Sequence, residues 1–199
     1  MASTIDVPTR VDLLTEVALV CEEIIEDDAK AIAYYERILD IAPTHETSMR
    51  ALDRLYLRSA KYQAWADLLE RRLVDMSGDE ALDTELRLAR VQLEQLHEPG
   101  KAIEHVEHVL GERLFDYTAR ELCESILEIG SFRVRAARAL EAVYESRDEV
   151  RELVNVLEIR WSAPVDGAGD SPEVRKELLR RIAQLKDERL HDDVGALEA

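Results

Sequence analysis

The sequence is poor in turn-forming residues and in aromatic side chains. It has 7 glycines and 5 prolines among 199 residues, and aromatic residues make up 5% of the chain. An all-β chain needs frequent turns, so this composition argues against one. Because 46% of the residues are apolar and 35% are charged, the composition favours amphipathic helices.

Cysteines and long apolar runs are also scarce. Cys21 and Cys123 stand at apolar positions of separate predicted helices, which excludes a disulfide framework or a cysteine metal cluster. No stretch approaches the roughly 20 apolar residues of a membrane helix, and no basic segment followed by an apolar run opens the chain. We therefore expect a soluble, cytoplasmic protein with both thiols reduced and no membrane insertion.

Positive charge is in short supply. The chain carries 26 basic and 43 acidic residues, a formal net charge of −17. Such a field repels nucleic-acid phosphates and anionic lipid head groups, so neither is an expected partner. The acidity could serve only to keep an elongated surface soluble, or it could present a surface for basic ligands.

Apolar residues recur at helical spacing along almost the whole chain. In the first predicted helix, over about 10–26, Val17, Cys21, Ile24 and Ile25 fall on one apolar stripe. The same periodicity continues to the end of the chain and predicts an all-α fold of about ten or eleven helices. Helix-turn-helix units joined by short turns are the expected organisation.

The spacing of apolar groups shows an internal repeat. One set recurs at an offset of 71 in residue number and again at a further offset of 94: Val17-Ala18, Ile25 and Ala31-Ile32, then Leu88-Ala89, Leu96 and Ala102-Ile103, then Ile182-Ala183, Leu190 and Ala196-Leu197. Another set recurs at an offset of 88: Ala51-Leu52, Tyr56, Leu69 and Glu70, then Ala139-Leu140, Tyr144, Leu157 and Glu158. The first offset equals two units of about 35 residues, the length of a helix-turn-helix repeat. The offset of 88 is longer than the offset of 71 by about one helix and its turn. It therefore predicts one added helix, the seventh or eighth, that interrupts the alternation of inner and outer helices.

Residues 12–45 resemble a tetratricopeptide repeat (TPR). Ala31 and Tyr35 stand at the small and aromatic positions of its second helix, and Pro43 at its terminal proline. The phrases AIAYYERILDIAP and ALDRLY…WADLLERRL are similar to those of long bacterial TPR-array proteins. The resemblance implies an α-solenoid, a right-handed superhelix of antiparallel helix pairs whose concave groove and convex ridge bind peptides or partner domains. The repeat-defining core positions are then Ala31, Tyr35, Pro43, Leu52, Tyr56, Trp65, Leu69, Ala102, Leu140, Tyr144 and Leu157.

The predicted domain organisation is a single array. Residues 1–9 are polar and should be flexible, and a TPR-like solenoid should occupy 10–199. The segment 162–171 (SAPVDGAGDS) concentrates glycine, proline and aspartate, so it should be a mobile loop. The last helix begins near Asp193 and stops at Ala199, which makes the C-terminal repeat look truncated.

Histidine and carboxylate residues are the only candidates for metal chemistry. Glu94 with His97, and Glu188 with His191, have the Glu-x-x-His spacing of di-iron helices. The two pairs occupy equivalent repeat positions, which a solenoid holds apart. His105 and His108 share a helix and more often belong to a solvated face. We therefore expect no metal, no cofactor and no catalytic residues, and no enzyme.

A basic stripe is the candidate partner-binding surface. Arg50, Arg54 and Arg58 recur every four residues on one helix, with Lys61 just beyond, so they could receive an acidic partner or pair within the chain. Chaperone-binding TPR proteins hold a peptide's terminal carboxylate with lysine and asparagine side chains on successive first helices, and this chain has one asparagine, Asn155. Recognition of chaperone tails is therefore not expected.

Two functions remain open. The first is a non-catalytic scaffold that binds a peptide or partner domain on its repeat surface. The second is an architectural or oligomerisation module of a larger repeat protein, with self-association through the C-terminal repeat, since a terminal unit without a polar cap exposes apolar faces.

Overall fold

The computed structural model describes residues 6–164 and 170–190. Within them the chain forms ten α-helices, a short π-helix and no strand, which confirms the all-α prediction and the predicted number of helices. The helices are α1 Val7–Glu23, α2 Asp28–Ile41, α3 Glu46–Arg58, α4 Tyr62–Leu73, α5 Gly78–Glu94, α6 Pro99–Glu112, α7 Tyr117–Leu127, α8 Arg133–Ser146, α9 Val150–Ser162 and α10 Pro172–Leu185, and the π-helix is Lys186–Leu190. No helix of the described ranges combines the length and the apolar character that crossing a membrane requires.

The structure describes the ends of both segments predicted to be flexible. Helix α1 begins at Val7, with Pro8 in its first turn, where the missing N–H and the fixed φ of proline suit a helix start. Ser162 belongs to α9, and the carboxylate of Asp170 accepts hydrogen bonds from Arg160 and Arg138. The predicted flexibility of 1–9 and of the loop 162–171 stays a prediction. Residues 1–5, 165–169 and the unfinished repeat at 193–199 lie outside the described residues.

The structure divides into two compact units, Met1–Met76 and Ser77–Ala199. In the first unit, each of α1 to α3 packs on the next helix in the chain. In the second unit, α7 packs on α5 as well as on α6, and α8 packs on α6 as well as on α7. Each unit therefore has the sequential helix packing of a TPR-like α-solenoid. A single continuous solenoid over 10–199 stays a prediction.

The predicted repeat is visible in the helix boundaries. Helices α5 and α6 begin and end at the offset of 71 from α1 and α2. Helices α7, α8 and α9 follow α2, α3 and α4 at offsets close to 88. Between α5 and α8 alternate helices pack together, α7 on α5 and α8 on α6, and the interruption that the offset of 88 predicts stays a prediction.

Residues with left-handed backbone conformation follow four of the helices at equivalent repeat positions. Glu26 and His97, which the offset of 71 relates, both have φ of 55°. Ala60 and Asp148, which the offset of 88 relates, have φ of 53° and 58°. The following residue closes the turn in each case, as where the N–H of Lys61 donates to the carbonyl of Tyr56 over 2.9 Å. Side chains other than glycine rarely adopt this conformation, so each turn carries backbone strain.

Replacing Ala60 by glycine should relieve this strain. We expect Ala60→Gly to raise the free energy of unfolding by about 0.5–1 kcal/mol, because the relief exceeds the added entropy of the unfolded chain. The measurement is urea unfolding followed by circular dichroism. Ala33→Gly, at an exposed right-handed position of α2, is the matched control and should lower stability by about 1 kcal/mol. A destabilised Ala60→Gly variant would contradict the prediction.

The buried core includes ten of the eleven repeat-defining residues predicted from the sequence. Pro43 is the exception: it is exposed and directly follows Ala42, the C-cap of α2, where a proline cannot continue the helix. The ten buried residues are Ala31, Tyr35, Leu52, Tyr56, Trp65, Leu69, Ala102, Leu140, Tyr144 and Leu157.

The apolar stripe predicted for the first helix is only partly buried. Val17, Ile24 and Ile25 are exposed, while Cys21 is buried. Helix α1 packs on α2 and buries a face that contains Val11 and Ala18 instead. Because α1 has two apolar stripes, periodicity alone does not indicate which one faces the core.

Candidate protein-interaction surfaces

The first unit contains an acidic groove between α2, α3 and α4. The groove has a volume of about 310 Å³. Three carboxylates and one guanidinium surround an apolar floor, so the rim is negative on balance. The lining residues are Glu36, Leu39, Asp40, Leu52, Tyr56, Ala64, Asp67, Leu68 and Arg71.

Two carboxylates of this groove, Glu36 and Asp67, have hydrogen-bond partners within the chain. The hydroxyl of Tyr56 donates a 2.7 Å hydrogen bond to Glu36, and at the offset of 88 the hydroxyl of Tyr144 donates one of 2.9 Å to Glu124. Burial, assisted by this hydrogen bond, raises the pKa of Tyr56 above its ordinary value, so the phenol stays neutral and holds Glu36. Glu36, Asp40 and Asp67 are all exposed, and Asp67 accepts a 3.0 Å hydrogen bond from the side chain of Gln63.

The predicted arginine stripe lies on α3, on the side opposite the groove. Helical spacing separates Arg54 from Leu52 and Tyr56, which line the groove. Each arginine pairs within the chain: Arg50 with Glu46 at 3.0 Å, Arg54 with Glu22 at 2.5 Å, and Arg58 with both carboxylate oxygens of Asp28. Lys61 is exposed at the start of α4. The stripe exists as predicted, its charge is largely compensated, and its role in binding stays a prediction.

The histidines of α6 face a carboxylate. Nδ1 of His108 lies 2.8 Å from Glu85 and Nδ1 of His105 lies 3.7 Å from the same group. His97 stands in the turn after α5 with left-handed backbone, off the helix that carries Glu94. His191 lies outside the described residues. Among the described residues, no cluster of three or more histidine, cysteine or acidic side chains could hold a metal ion.

The hydrogen bond to Glu85 makes His108 sensitive to pH. It raises the pKa of His108 above the ordinary value of 6.5. The protonated pair therefore stabilises the fold fully below about pH 6.5, and its contribution disappears as the pH rises through the higher pKa of the folded state. Wild type should exceed His108→Gln in stability at about pH 5.5 more than at about pH 8.

Urea unfolding at both pH values measures this difference. Glu85→Gln is the matched control, because it removes the acceptor charge and should abolish the same pH dependence. A gap between wild type and His108→Gln that is the same at both pH values would contradict the assignment.

The second unit contains another groove, between α9 and α10 and the start of α8. Its volume is about 420 Å³. Ile159, Leu179 and Ile182 form an apolar floor, and Lys186 on its edge pairs with Glu158 at 2.7 Å. The other lining residues are Arg133, Asn155, Trp161 and Ser162.

The cysteines belong to the interior. Cys21 and Cys123 are both buried with free thiols. Burial raises the pKa of Cys123 to about 12, so its thiol is protonated at neutral pH. A protonated, buried thiol is neither a nucleophile nor a metal ligand, in agreement with the core role inferred from the sequence.

Comparison with known proteins returns structural neighbours alone. No protein family model matches the sequence, and no curated protein matches it. The chain resembles TPR-like repeat structures. A kinesin light chain from Podosopora anserina with nearly identical TPR-like repeats is 19% identical, with a TM-score of 0.38, over 96% of this chain and 93% of that chain. A glutamine-to-methionine variant of that protein is 18% identical, with a TM-score of 0.39, over 98% of this chain and 94% of that chain.

Sequence reasoning missed both grooves. Asp40 follows Glu36 by four residues on α2, and Arg71 follows Asp67 by four on α4, so each pair shares a helix face. That spacing was available from the sequence. The meeting of the two faces across Leu52 and Leu68 depends on how the helices pack, which periodicity does not specify.

Proposed function

We propose that this protein is a non-catalytic scaffold that binds a protein partner, in the cytoplasm and without a cofactor. The acidic groove between α2, α3 and α4 is the observation that carries the proposal. It is lined by side chains of three helices and combines an apolar floor with a charged rim. Interfaces that bind peptide segments use this combination, in which apolar contacts give affinity and rim charges give selectivity.

The chemistry of the groove selects its partner. Asp40 and Asp67 line the groove, and Glu36 beside them accepts a hydrogen bond from Tyr56. We infer a basic or amphipathic peptide segment that places apolar side chains on Leu39 and Leu68 and a lysine or arginine near the aspartates. The partner is then a protein with an exposed positively charged segment, which the acidity of the chain attracts over distance.

Reversing the charge of the groove should weaken partner binding at least about tenfold, since each aspartate would become a repulsive lysine. The experiment captures partners on the immobilised intact chain, identifies them, and measures their affinity for wild type and for the double variant Asp40→Lys, Asp67→Lys. Both positions are exposed, so the fold should persist. The double variant Asp75→Lys, Glu80→Lys changes two exposed acids outside the groove by the same charge and is the control. Full binding of every partner by the groove variant would reject the groove.

The same assay tests the arginine stripe. If Arg50, Arg54, Arg58 and Lys61 bind an acidic partner, the double variant Arg50→Glu, Arg54→Glu should weaken its binding, because the reversed charges repel it. The side chain of Glu22 is only 7% exposed, so loss of its ion pair with Arg54 should also lower stability, and circular dichroism must show that the variant is folded at the temperature of the binding assay. Unchanged affinity in this variant would reject the stripe.

A second function is favoured by a separate observation. Leu13, Val17, Val20 and Ile24 are exposed on α1, and exposed apolar stripes of this kind mark association surfaces. The chain would then be an architectural or oligomerisation module whose repeats join others.

A further inference from the structure

Helix α1 carries an exposed apolar stripe, whereas equivalent residues in a later repeat are buried. Leu13, Val17, Val20 and Ile24 are 48%, 41%, 42% and 75% exposed and share one helix face. Their repeat equivalents lie on α10 and the π-helix, where the offset of 71 followed by the offset of 94 places them.

A neighbouring helix covers that face on α10. Leu178 and Ile182, the equivalents of Leu13 and Val17, are 5% and 1% exposed in the core of the second unit, where α10 packs on α9. The apolar stripe of α1 therefore has the character of a face that a helix normally covers.

Acidic residues border this stripe. Asp12, Glu16 and Glu23 are exposed, and helical geometry places all three along the same side of the apolar residues. None of them forms an ion pair with another described residue. A surface that covers α1 should therefore be apolar in its centre and basic along one edge.

The α9–α10 groove has this chemistry. Leu179 and Trp161 give it partly exposed apolar surface above the buried Ile159 and Ile182, and Arg133 and Lys186 line its edge. Arg175 lies one turn before Leu179 on α10, which places another cation in line with the groove. Lys186 also contacts Glu158, so its charge is partly compensated, while Arg133 is exposed.

We propose that α1 of one copy of the chain docks in the α9–α10 groove of a second copy, so that chains join head to tail. Such an interface is heterologous: each bound pair still carries a free stripe at one end and a free groove at the other, and assembly continues as concentration rises. The groove between α2, α3 and α4 takes no part in this contact. The proposal therefore succeeds or fails independently of partner binding there.

Sedimentation velocity and light scattering of the intact chain at increasing concentration test the proposal. Wild type should rise above the monomer mass of 22.7 kDa. Val17→Glu in the stripe, and the double variant Arg133→Glu, Asn155→Glu at the groove, should each weaken association at least about tenfold, because each sets a carboxylate against an apolar or acidic surface. Val74→Glu, at an apolar residue 82% exposed outside the stripe, is the matched control and should associate like wild type. Circular dichroism checks that every variant is folded.

Mixing the two defective variants separates head-to-tail joining from other contacts. Val17→Glu keeps an intact groove and the groove variant keeps an intact stripe, so a mixture should form a 1:1 dimer although each alone is a monomer. A groove variant that associates like wild type would show pairing of α1 with α1 and overturn the proposal. A mixture that remains monomeric would overturn it too. So would a wild-type chain that stays monomeric at every concentration.

Discussion

Close packing of successive helices on fully buried alanines is the constraint on which the rest of the structure depends. Ala18 of α1 and Ala31 of α2 have no exposed surface, and Ala89 of α5 and Ala102 of α6 repeat them at the offset of 71. Small side chains let two helices approach closely, so the larger residues around them interdigitate. The same requirement in each hairpin makes the chain a repeat, because a helix pair buries its remaining apolar surface only on further helices.

The ion pairs of the arginines are a consequence of this packing. Once helices stack in register, side chains distant in sequence meet across neighbouring helices. Arg54 reaches Glu22, Arg90 reaches Glu121 and Arg135 reaches Glu107. Pairing of this kind compensates much of the positive charge inside the protein. The surplus of acidic groups is left for the surface.

Periodicity predicted the helices and their repeat because both depend on local spacing. The offset of 71 also relates the observed boundaries of α5 and α6 to those of α1 and α2, and Ala31 and Tyr35, core positions of the predicted repeat, are buried. The sequence could not assign the partner of Arg54, since the distance to Glu22 is set by packing. It also misjudged Val17, because a helix with two apolar stripes offers either one to its neighbour. The grooves were missed for the same reason: they arise where faces of different helices meet.

The two offsets show which contact the repeat preserves. Tyr56 bonds Glu36 between α3 and α2, and Tyr144 bonds Glu124 between α8 and α7. Helix α8 resembles α3 in sequence and α6 resembles α2, yet α8 packs beside α6. In the same way α7, which resembles α2, packs beside α5, which resembles α1. If this hydrogen bond depended on which layer each helix occupies, the Tyr144 to Glu124 bond would not have formed. The contact between consecutive helices is kept although the two helices change layer, because it depends only on the packing within the hairpin. Packing between nearest neighbours therefore determines this array.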